Sequence, residues 1–219
     1  PVLADAGLTA LIEPINTRDV AGYHLHSPEH AAEIIAEDGI EGLSLRALAR
    51  EIGVSHSAPA RHFKDKQALL AALATEAHEK LTRFINKAAN DAGDDPVARY
   101  NAMGKATIRF SLDQPAYFKA VQNPEVYQRA SEELRSAHEA YLETVKEAAA
   151  AAHEAGWNSY EETMTLFTFS TAAAHGTAIL FSRMFQTGTF TNTDLLALGE
   201  KVIDLVVPPH SSLCKPKGE

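Results

Sequence analysis

Apolar residues recur along this chain at spacings of three and four, and no sustained alternation of apolar and polar residues is present. That periodicity is typical of amphipathic helices, so the sequence predicts an all-α protein. Near the N-terminus it predicts four helices, separated by glycine or by residues that cap helices, over about 27–39, 44–52 and 55–63 and then from Asp65 onward.

A second, larger set of helices is predicted after a break at about 90–95. The pattern favours a helix that Asp95-Pro96 opens, a short element, and one long amphipathic helix, over about 95–112, 115–121 and 125–154. Residues 159–185 are apolar on nearly all sides, which indicates a helix buried on several faces, and the last helix spans about 193–207. The predicted organisation is an extension over 1–23, a small domain over 24–73, a larger domain over 74–208 and a tail over 209–219.

Composition narrows the class of protein. Of 219 residues, 45% are hydrophobic, yet no run reaches 18 uninterrupted apolar residues, so we expect no membrane-spanning helix. No basic stretch precedes the first apolar patches as it would in a signal peptide, and the single cysteine, Cys214, excludes an intrachain disulfide. We therefore expect a cytoplasmic protein.

The net charge of −9 argues at first against a nucleic-acid partner, but the charge is segregated. Residues 44–66 carry five basic side chains against two acidic ones, a local charge of +3 on a remainder of −12. A small basic face on an acidic body can bind phosphates locally, so charge permits DNA binding without demanding it.

Residues 44–63 carry the most informative motif, two short helices joined by Gly53-Val54-Ser55. The small residues Ala49 and Gly53 would allow a close, steep crossing of the helices. The second helix would then expose His56, Ser57, Ala60 and Arg61 toward a major groove. This is the pattern of a DNA-binding helix-turn-helix, and a generic helical hairpin within a bundle is the structural alternative.

The N-terminal sequence resembles the TetR family of bacterial transcriptional regulators. The matching segments are Ile35-Ala36-Glu37-Asp38-Gly39, Ser44-Leu45-Arg46-Ala47-Leu48-Ala49, Gly53-Val54-Ser55 and Arg61-His62-Phe63-Lys64-Asp65-Lys66-Gln67-Ala68-Leu69-Leu70. The resemblance implies a helix-turn-helix domain over 24–73 and a divergent helical domain for effector binding and dimerisation over 74–208. Ala174-His175-Gly176, in the penultimate helix, looks like the mark of a subgroup of the family.

The resemblance also implies a function. It implies a homodimer joined by a four-helix bundle, a double-stranded DNA operator and an unknown small-molecule effector, with repression favoured over activation. No catalytic constellation is visible, so we expect no enzymatic activity and no cofactor. The alternative is a helical small-molecule-binding or interaction protein that has lost DNA binding.

The residues that the resemblance assigns to DNA are chemically suited to it. Ser44 and Ser55 would present helix N-termini and hydroxyls to phosphates, and Arg46 and Lys66 would position the backbone. The candidates for base edges are His56, Ser57 and Arg61, while His62 is expected either to meet the DNA backbone or to belong to the core.

Two departures from the family pattern affect this assignment. Ala60 stands where the family often carries a phosphate-contacting tyrosine. Tyr23-His24-Leu25-His26 stands where basic residues are common.

Candidates for an effector pocket lie on the later helices: Met103, Arg109, Tyr117, Phe118, Tyr127, His138, Phe167 and His175. Aromatic residues at helical spacing also serve as ordinary core, and a buried histidine can simply be hydrogen-bonded. Arg109 could pair with an acidic ligand or with a neighbouring carboxylate. His24, His26 and His30 have a spacing that a divalent metal could use, but no cysteine supports them, and we expect no metal site.

Overall fold

The computed structural model describes residues 27–128, 130–186, 188 and 190–209. Within them the chain forms nine α-helices and one short 3₁₀ turn, and no strand. The elements are α1 Ser27–Gly42, α2 Leu45–Glu51, the 3₁₀ turn Pro59–Arg61, α3 Lys66–Asp91, α4 Pro96–Asp113, α5 Pro115–Gln122, α6 Pro124–Gln128, α7 Glu132–Glu154, α8 Thr163–Gln186 and α9 Asn192–Val206. The predicted all-α class is confirmed. The extension over 1–23, His24, His26 and Cys214 in the tail lie outside the described residues.

Side-chain caps fix where several helices begin. Ser44 Oγ accepts the Ala47 N–H at the start of α2, and Asp65 Oδ1 accepts the Ala68 N–H at the start of α3. Asp95 caps α4 in the same way. These acceptors satisfy amide groups that have no partner inside the first turn, so the sequence itself sets the helix boundaries.

The predicted helix over 125–154 was wrong as a single element. The chain forms α6 and α7 instead, and Ser131 Oγ caps α7 by accepting the Leu134 N–H at 3.2 Å. A serine with this extended backbone starts a helix rather than continuing one. The apolar periodicity runs across the break and hid it.

Helix α8 begins later than predicted, at Thr163 rather than near residue 159. Gly156 and Asn158 adopt positive φ values of 102° and 45°, which reverse the chain after α7. Between them Trp157 is buried, and its indole N–H donates to the Val206 carbonyl at 3.2 Å. This anchor holds the connection between α7 and α8 against the end of α9.

The chain divides into two compact units between Leu69 and Leu70, within α3. In the first unit α1 packs on α2, and α2 packs on the 3₁₀ turn, around the buried side chains of Ile35, Leu43 and Leu48. The predicted limit of the small domain lies four residues further along the chain.

In the second unit α4 is the central helix and contacts α5, α7, α8 and α9. A glycine lets α9 approach it closely, because a Cβ at Gly199 would lie 2.9 Å from Ile108 Cγ2. Gly104 serves the same contact from the α4 side, where a Cβ would meet Ile203 at 3.1 Å. The two glycines therefore set the distance between α4 and α9.

Helix α8 is buried along one stripe only. Leu166, Ser170, Ala174, Ala178 and Phe181 face inward, whereas Phe169 and Leu180 are more than half exposed. Within a single chain, α8 is therefore not buried on several faces as its apolar sequence predicted. By length and composition alone the segment Thr163–Met184 could cross a membrane, with a mean hydropathy of 1.2 and 28% of its most apolar window buried.

Candidate nucleic-acid interface and effector cavity

The turn of the helix-turn-helix forms as predicted, and Gly53 contributes to it through its backbone conformation. Gly53 has a φ of 68°, and the Val54 N–H donates to the Ala49 carbonyl at 3.0 Å, which closes the end of α2. A Cβ at Gly53 would meet nothing within 4 Å. The left-handed backbone expected of a glycine at the end of α2 is confirmed, whereas the close helix packing also predicted for Gly53 is not observed.

The predicted third helix over 55–63 is shorter and tighter than an α-helix. Backbone bonds run from Ala58 N–H to the Ser55 carbonyl and from His62 N–H to the Pro59 carbonyl, each at 3.0 Å and each spanning three residues. Pro59 has no N–H to donate to the Ser55 carbonyl, so that four-residue bond cannot form, and the Phe63 N–H to the Pro59 carbonyl at 2.9 Å supplies the four-residue bond at the end of the segment. The Ser55 hydroxyl lies 3.2 Å from the Ser57 hydroxyl, and helical turns replace a regular recognition helix.

The side chains assigned to DNA lie mostly on the surface of the first unit. Exposed are Arg46, Ser55, His56, Ser57, Arg61 and His62, and half-buried are Ser44 and Lys66. Phe63 is half-buried. Ala60 is exposed on the 3₁₀ turn, so a larger side chain has room there.

Two further basic residues belong to the same segment but were not among the predicted contacts. Arg50, in the last turn of α2, and Lys64, after the 3₁₀ turn, are both exposed. The local charge count already included them. Their exposure makes them available to phosphates.

The second unit contains a cavity between α4, α7, α8 and α9. Its volume of about 30 Å³ is open to the centres of water-sized molecules, space for about two waters. Of the predicted pocket residues, Met103 and His175 line it. Tyr100, Tyr141 and Thr171 also line it and were not predicted.

Two hydrogen bonds organise the polar part of the cavity wall. The Tyr100 hydroxyl lies 2.6 Å from Ser170 Oγ, and the Tyr141 hydroxyl lies 2.8 Å from His175 Nε2. Burial raises the pKa of both phenols and lowers the pKa of the His175 imidazole. All these groups are therefore neutral near pH 7.

A histidine and tyrosine cluster lies beside the cavity and was not predicted as a unit. His78 Nε2, on α3, lies 2.8 Å from the Tyr127 hydroxyl and 3.3 Å from His138 Nδ1. Burial, together with the neighbouring His138 and His175, lowers the pKa of His78 to about 4. The signal in the sequence was a histidine inside the apolar stripe of α3, next to Ala77 and three residues before Leu81.

The other predicted pocket residues lie apart from the cavity. The Tyr117 hydroxyl donates to Glu76 Oε1 at 3.2 Å, and the Phe118 ring lies 6.4 Å from the His175 ring. Phe167 is half-buried on α8 and does not line the cavity. Arg109 is exposed and pairs with Glu200 at 3.7 Å. Of its two predicted partners, an acidic ligand or a neighbouring carboxylate, the structure shows the carboxylate.

Comparison with protein families gives two matches that follow the two sets of helices. Residues 29–73 match the bacterial regulatory proteins of the TetR family, and residues 100–205 match the tetracyclin repressor-like C-terminal domain. No curated protein sequence matches the chain significantly.

Solved structures with this fold include a Rhodococcus protein of unknown function. It is 27% identical with a TM-score of 0.69, over 86% of this chain and all of that one. The TetR-family regulator PfmR from Thermus thermophilus is 18% identical with a TM-score of 0.65, over 84% of this chain and 98% of that one.

The transcriptional regulator FadR from Bacillus subtilis, solved with stearoyl-CoA, is 18% identical with a TM-score of 0.63. The match covers 83% of this chain and 96% of that one. With family matches to both units and a helix-turn-helix that exposes basic and hydroxyl side chains, the chain belongs to the TetR family of DNA-binding transcriptional regulators.

Proposed function

We propose that this protein is a cytoplasmic, homodimeric repressor that leaves its operator when a small molecule binds in the second unit. The observation that carries DNA binding is the exposure of Arg46, His56, Ser57 and Arg61 on α2 and the adjoining turns. The fixed caps and the closed turn at Gly53 hold these side chains on a rigid frame, which base and phosphate contacts require.

The eight predicted DNA contacts divide by chemistry. Ser44, Arg46, Ser55 and Lys66 offer hydroxyls or charge to phosphates, whereas His56, Ser57 and Arg61 can read base edges. His62 is exposed after the 3₁₀ turn, which favours the backbone contact over a place in the core. The shortened recognition element supports contacts near Ser55 more than contacts further along the chain.

Dimerisation is supported by the outer surfaces of α8 and α9. Phe169 and Leu180 on α8 and Leu198 and Leu205 on α9 are 56%, 55%, 45% and 84% exposed. Apolar surface of this extent marks an interface, and two helices from each subunit would form a four-helix bundle. A symmetric dimer would also present two helix-turn-helix units to two half-sites.

His175 and Gly176 lie on opposite sides of α8, one toward the cavity and one on the exposed surface. We infer that this pair marks a subgroup of the family. His175 turns inward to the cavity, whereas Gly176 is exposed and a Cβ there would meet nothing within 4 Å. A glycine without an internal packing role permits close approach of a partner helix.

The cavity is connected to α3, which supports its role as the effector site. The Tyr141 ring in the cavity wall lies 5.7 Å from the His78 ring on α3. Helix α3 begins at Lys66, in the first unit, so it is a continuous link along the chain. An effector that moved Tyr141 would bias α3, and a shift of a few ångströms in half-site spacing weakens operator binding.

An electrophoretic shift with the full chain and a DNA fragment from upstream of its own gene tests this function. We expect a shift that weakens as salt rises, because phosphate contacts release counterions. The matched control is the variant Arg46→Ala plus Arg61→Ala, which should lose the shift while remaining dimeric. A shift that this variant retains would contradict the assigned interface.

A further inference from the structure

A surface groove lies between α3 and α4 of the second unit and shares no lining residue with the enclosed cavity. Its volume of about 330 Å³ is within the range of sites that hold small organic molecules. One face of each helix lines it, with residues three and four apart, such as Phe84 and Ala88 on α3 and Ala102 and Ala106 on α4. The groove is therefore a separate site of ligand size.

Part of the groove is apolar. Ala88, Ala102 and Ala106 are small, so the two helices leave room between their facing sides. The half-buried Phe84 forms one wall, and its ring lies 5.9 Å from the ring of the buried Phe110 in a T-shaped arrangement. An aromatic ring held in this way gives the apolar body of a ligand a fixed surface for packing.

The charged side chains of the groove are mostly cations, although the net charge of the chain is −9. Within the described part of the chain, Lys87, Lys105 and Arg109 line it together with one carboxylate, that of Asp91. Lys87 and Asp91 pair with each other on α3, with Nζ and Oδ2 2.5 Å apart. Lys105 and Arg109 therefore have no carboxylate partner of their own among the residues of the lining.

The carboxylates that pair with Lys105 and Arg109 lie on α9, outside the groove. Lys105 Nζ lies 2.6 Å from Asp204 Oδ1, and Arg109 Nη2 lies 3.7 Å from Glu200 Oε1. The longer distance exceeds that of a hydrogen bond, so Arg109 donates none to Glu200 and keeps these N–H groups for another acceptor. The two pairs therefore hold both cations at the edge of the groove and leave donors for a ligand.

We propose that the groove between α3 and α4 binds a small organic anion with an apolar body, such as an aryl carboxylate. The Arg109 guanidinium and the Lys105 ammonium donate to its charged group, and Phe84 and Ala102 pack on its body. Charge-assisted hydrogen bonds are stronger than neutral ones, and the planar guanidinium matches the geometry of a carboxylate. The proposal goes beyond the proposed function, because it adds a ligand site apart from the enclosed cavity and does not depend on DNA binding.

Three probes test the class of ligand: 2-naphthoate, its neutral analogue 2-naphthamide, and inorganic phosphate. Calorimetric titration of the full chain at pH 7.5 and low salt measures their affinities. We expect 2-naphthoate to bind about tenfold or more tightly than either of the others, and to bind more weakly as salt screens the charges. No binding of 2-naphthoate up to millimolar concentration, or equally tight binding of the amide or of phosphate, would overturn the proposal.

Substitutions in the groove locate the bound probe. Arg109→Met removes an exposed cation and should weaken 2-naphthoate binding about fivefold or more. Ala102→Leu fills the groove without changing its charge and should weaken binding at least as much. Arg83→Met is the control, because Arg83 is an exposed arginine of α3 that pairs with Glu79 and lies outside the groove.

Either variant can overturn the site. If Arg109→Met binds 2-naphthoate as tightly as the wild type, the charged contact is wrong. If Ala102→Leu does so, the probe binds outside the groove. Circular dichroism checks that each variant is folded, and Arg109→Met decides alone if Ala102→Leu is not.

Discussion

The Tyr141 hydroxyl and His175 Nε2 lie 2.8 Å apart, so a hydrogen bond joins α7 to α8 in the wall of the cavity. Tyr141 is buried and His175 is half-buried, and the other imidazole nitrogen of His175 lies 3.4 Å from Gln122 Nε2. The two contacts of His175 together link α5, α7 and α8 beside the candidate effector site.

Tyr141→Phe should lower the free energy of unfolding by about 1–3 kcal/mol, because it leaves the buried His175 nitrogen without its partner. Urea denaturation followed by circular dichroism measures this. Tyr160→Phe is the control, since Tyr160 is 81% exposed and should change stability little. Equal stability of the wild type and Tyr141→Phe would show that the hydrogen bond contributes nothing net.

His78 should make stability depend on pH in the acid range. The pKa of His78 is lowered from 6.5 to about 4 in the folded protein. Between pH 4 and pH 6.5, His78 is therefore protonated in the unfolded chain and neutral in the native protein. The contribution is fully present above pH 6.5 and is lost as the pH falls toward 4, by about 3 kcal/mol in total. Unfolding free energies at pH 7, 5.5 and 4.5 should fall less steeply in His78→Gln. An unchanged slope would contradict a neutral, buried His78.

Arg46→Ala should weaken binding to all DNA sequences about equally and lower the salt slope by about one ion, as expected for a phosphate contact. Titrations of an operator duplex and a scrambled duplex at several salt concentrations measure both quantities. Arg83→Ala is the control, an exposed arginine of the second unit that pairs with Glu79. A relaxed preference at a single base pair would make Arg46 a base-reading residue.

Ala60→Tyr should tighten specific and non-specific binding several-fold alike. Ala60 is exposed on the 3₁₀ turn, and a tyrosine hydroxyl at this place would add a phosphate contact of about 1 kcal/mol. The same pair of duplexes at equal salt measures the change. Weaker operator binding by the variant would mean that the small side chain permits a closer approach to the groove.

Leu205→Glu should convert the dimer into a monomer at micromolar concentration. Leu205 is 84% exposed on α9, and a buried carboxylate at the centre of an apolar interface is strongly unfavourable. Sedimentation velocity measures the change, with Ala140→Glu on the exposed face of α7 as control. A wild-type monomer would contradict the proposed dimer, and a dimeric Leu205→Glu would mean that the interface lies elsewhere.

Local signals made much of the fold predictable. Ser44, Asp65 and Asp95 begin helices with caps of their own, and Gly53 ends one through its left-handed backbone. The surface position of the residues assigned to DNA was predictable for the same reason, because they lie within one continuous segment. The 3₁₀ turn was missed because a proline near the start of a helix is common, so Pro59 did not argue against a regular helix over 55–63.

The cavity could not be predicted in this way because its partners are distant in sequence. The bonds between His78 and His138 and between Tyr141 and His175 span 60 and 34 residues. Helical periodicity places each residue on a face but says nothing about which faces meet. Arg109 is the clearest example of what periodicity cannot tell. It lies on the exposed side of α4, and its ion pair with Glu200 of α9 depends on how the two helices pack.

The most direct test of the central claim is selection of bound duplexes from a random DNA library by the full-length protein, followed by sequencing. A TetR-family dimer with this helix-turn-helix should enrich an inverted repeat whose half-sites lie one helical turn apart or a multiple of it. The Arg46→Ala plus Arg61→Ala variant should enrich nothing under the same conditions. Failure of the wild type to enrich any sequence, at salt low enough for phosphate contacts to form, would contradict the account.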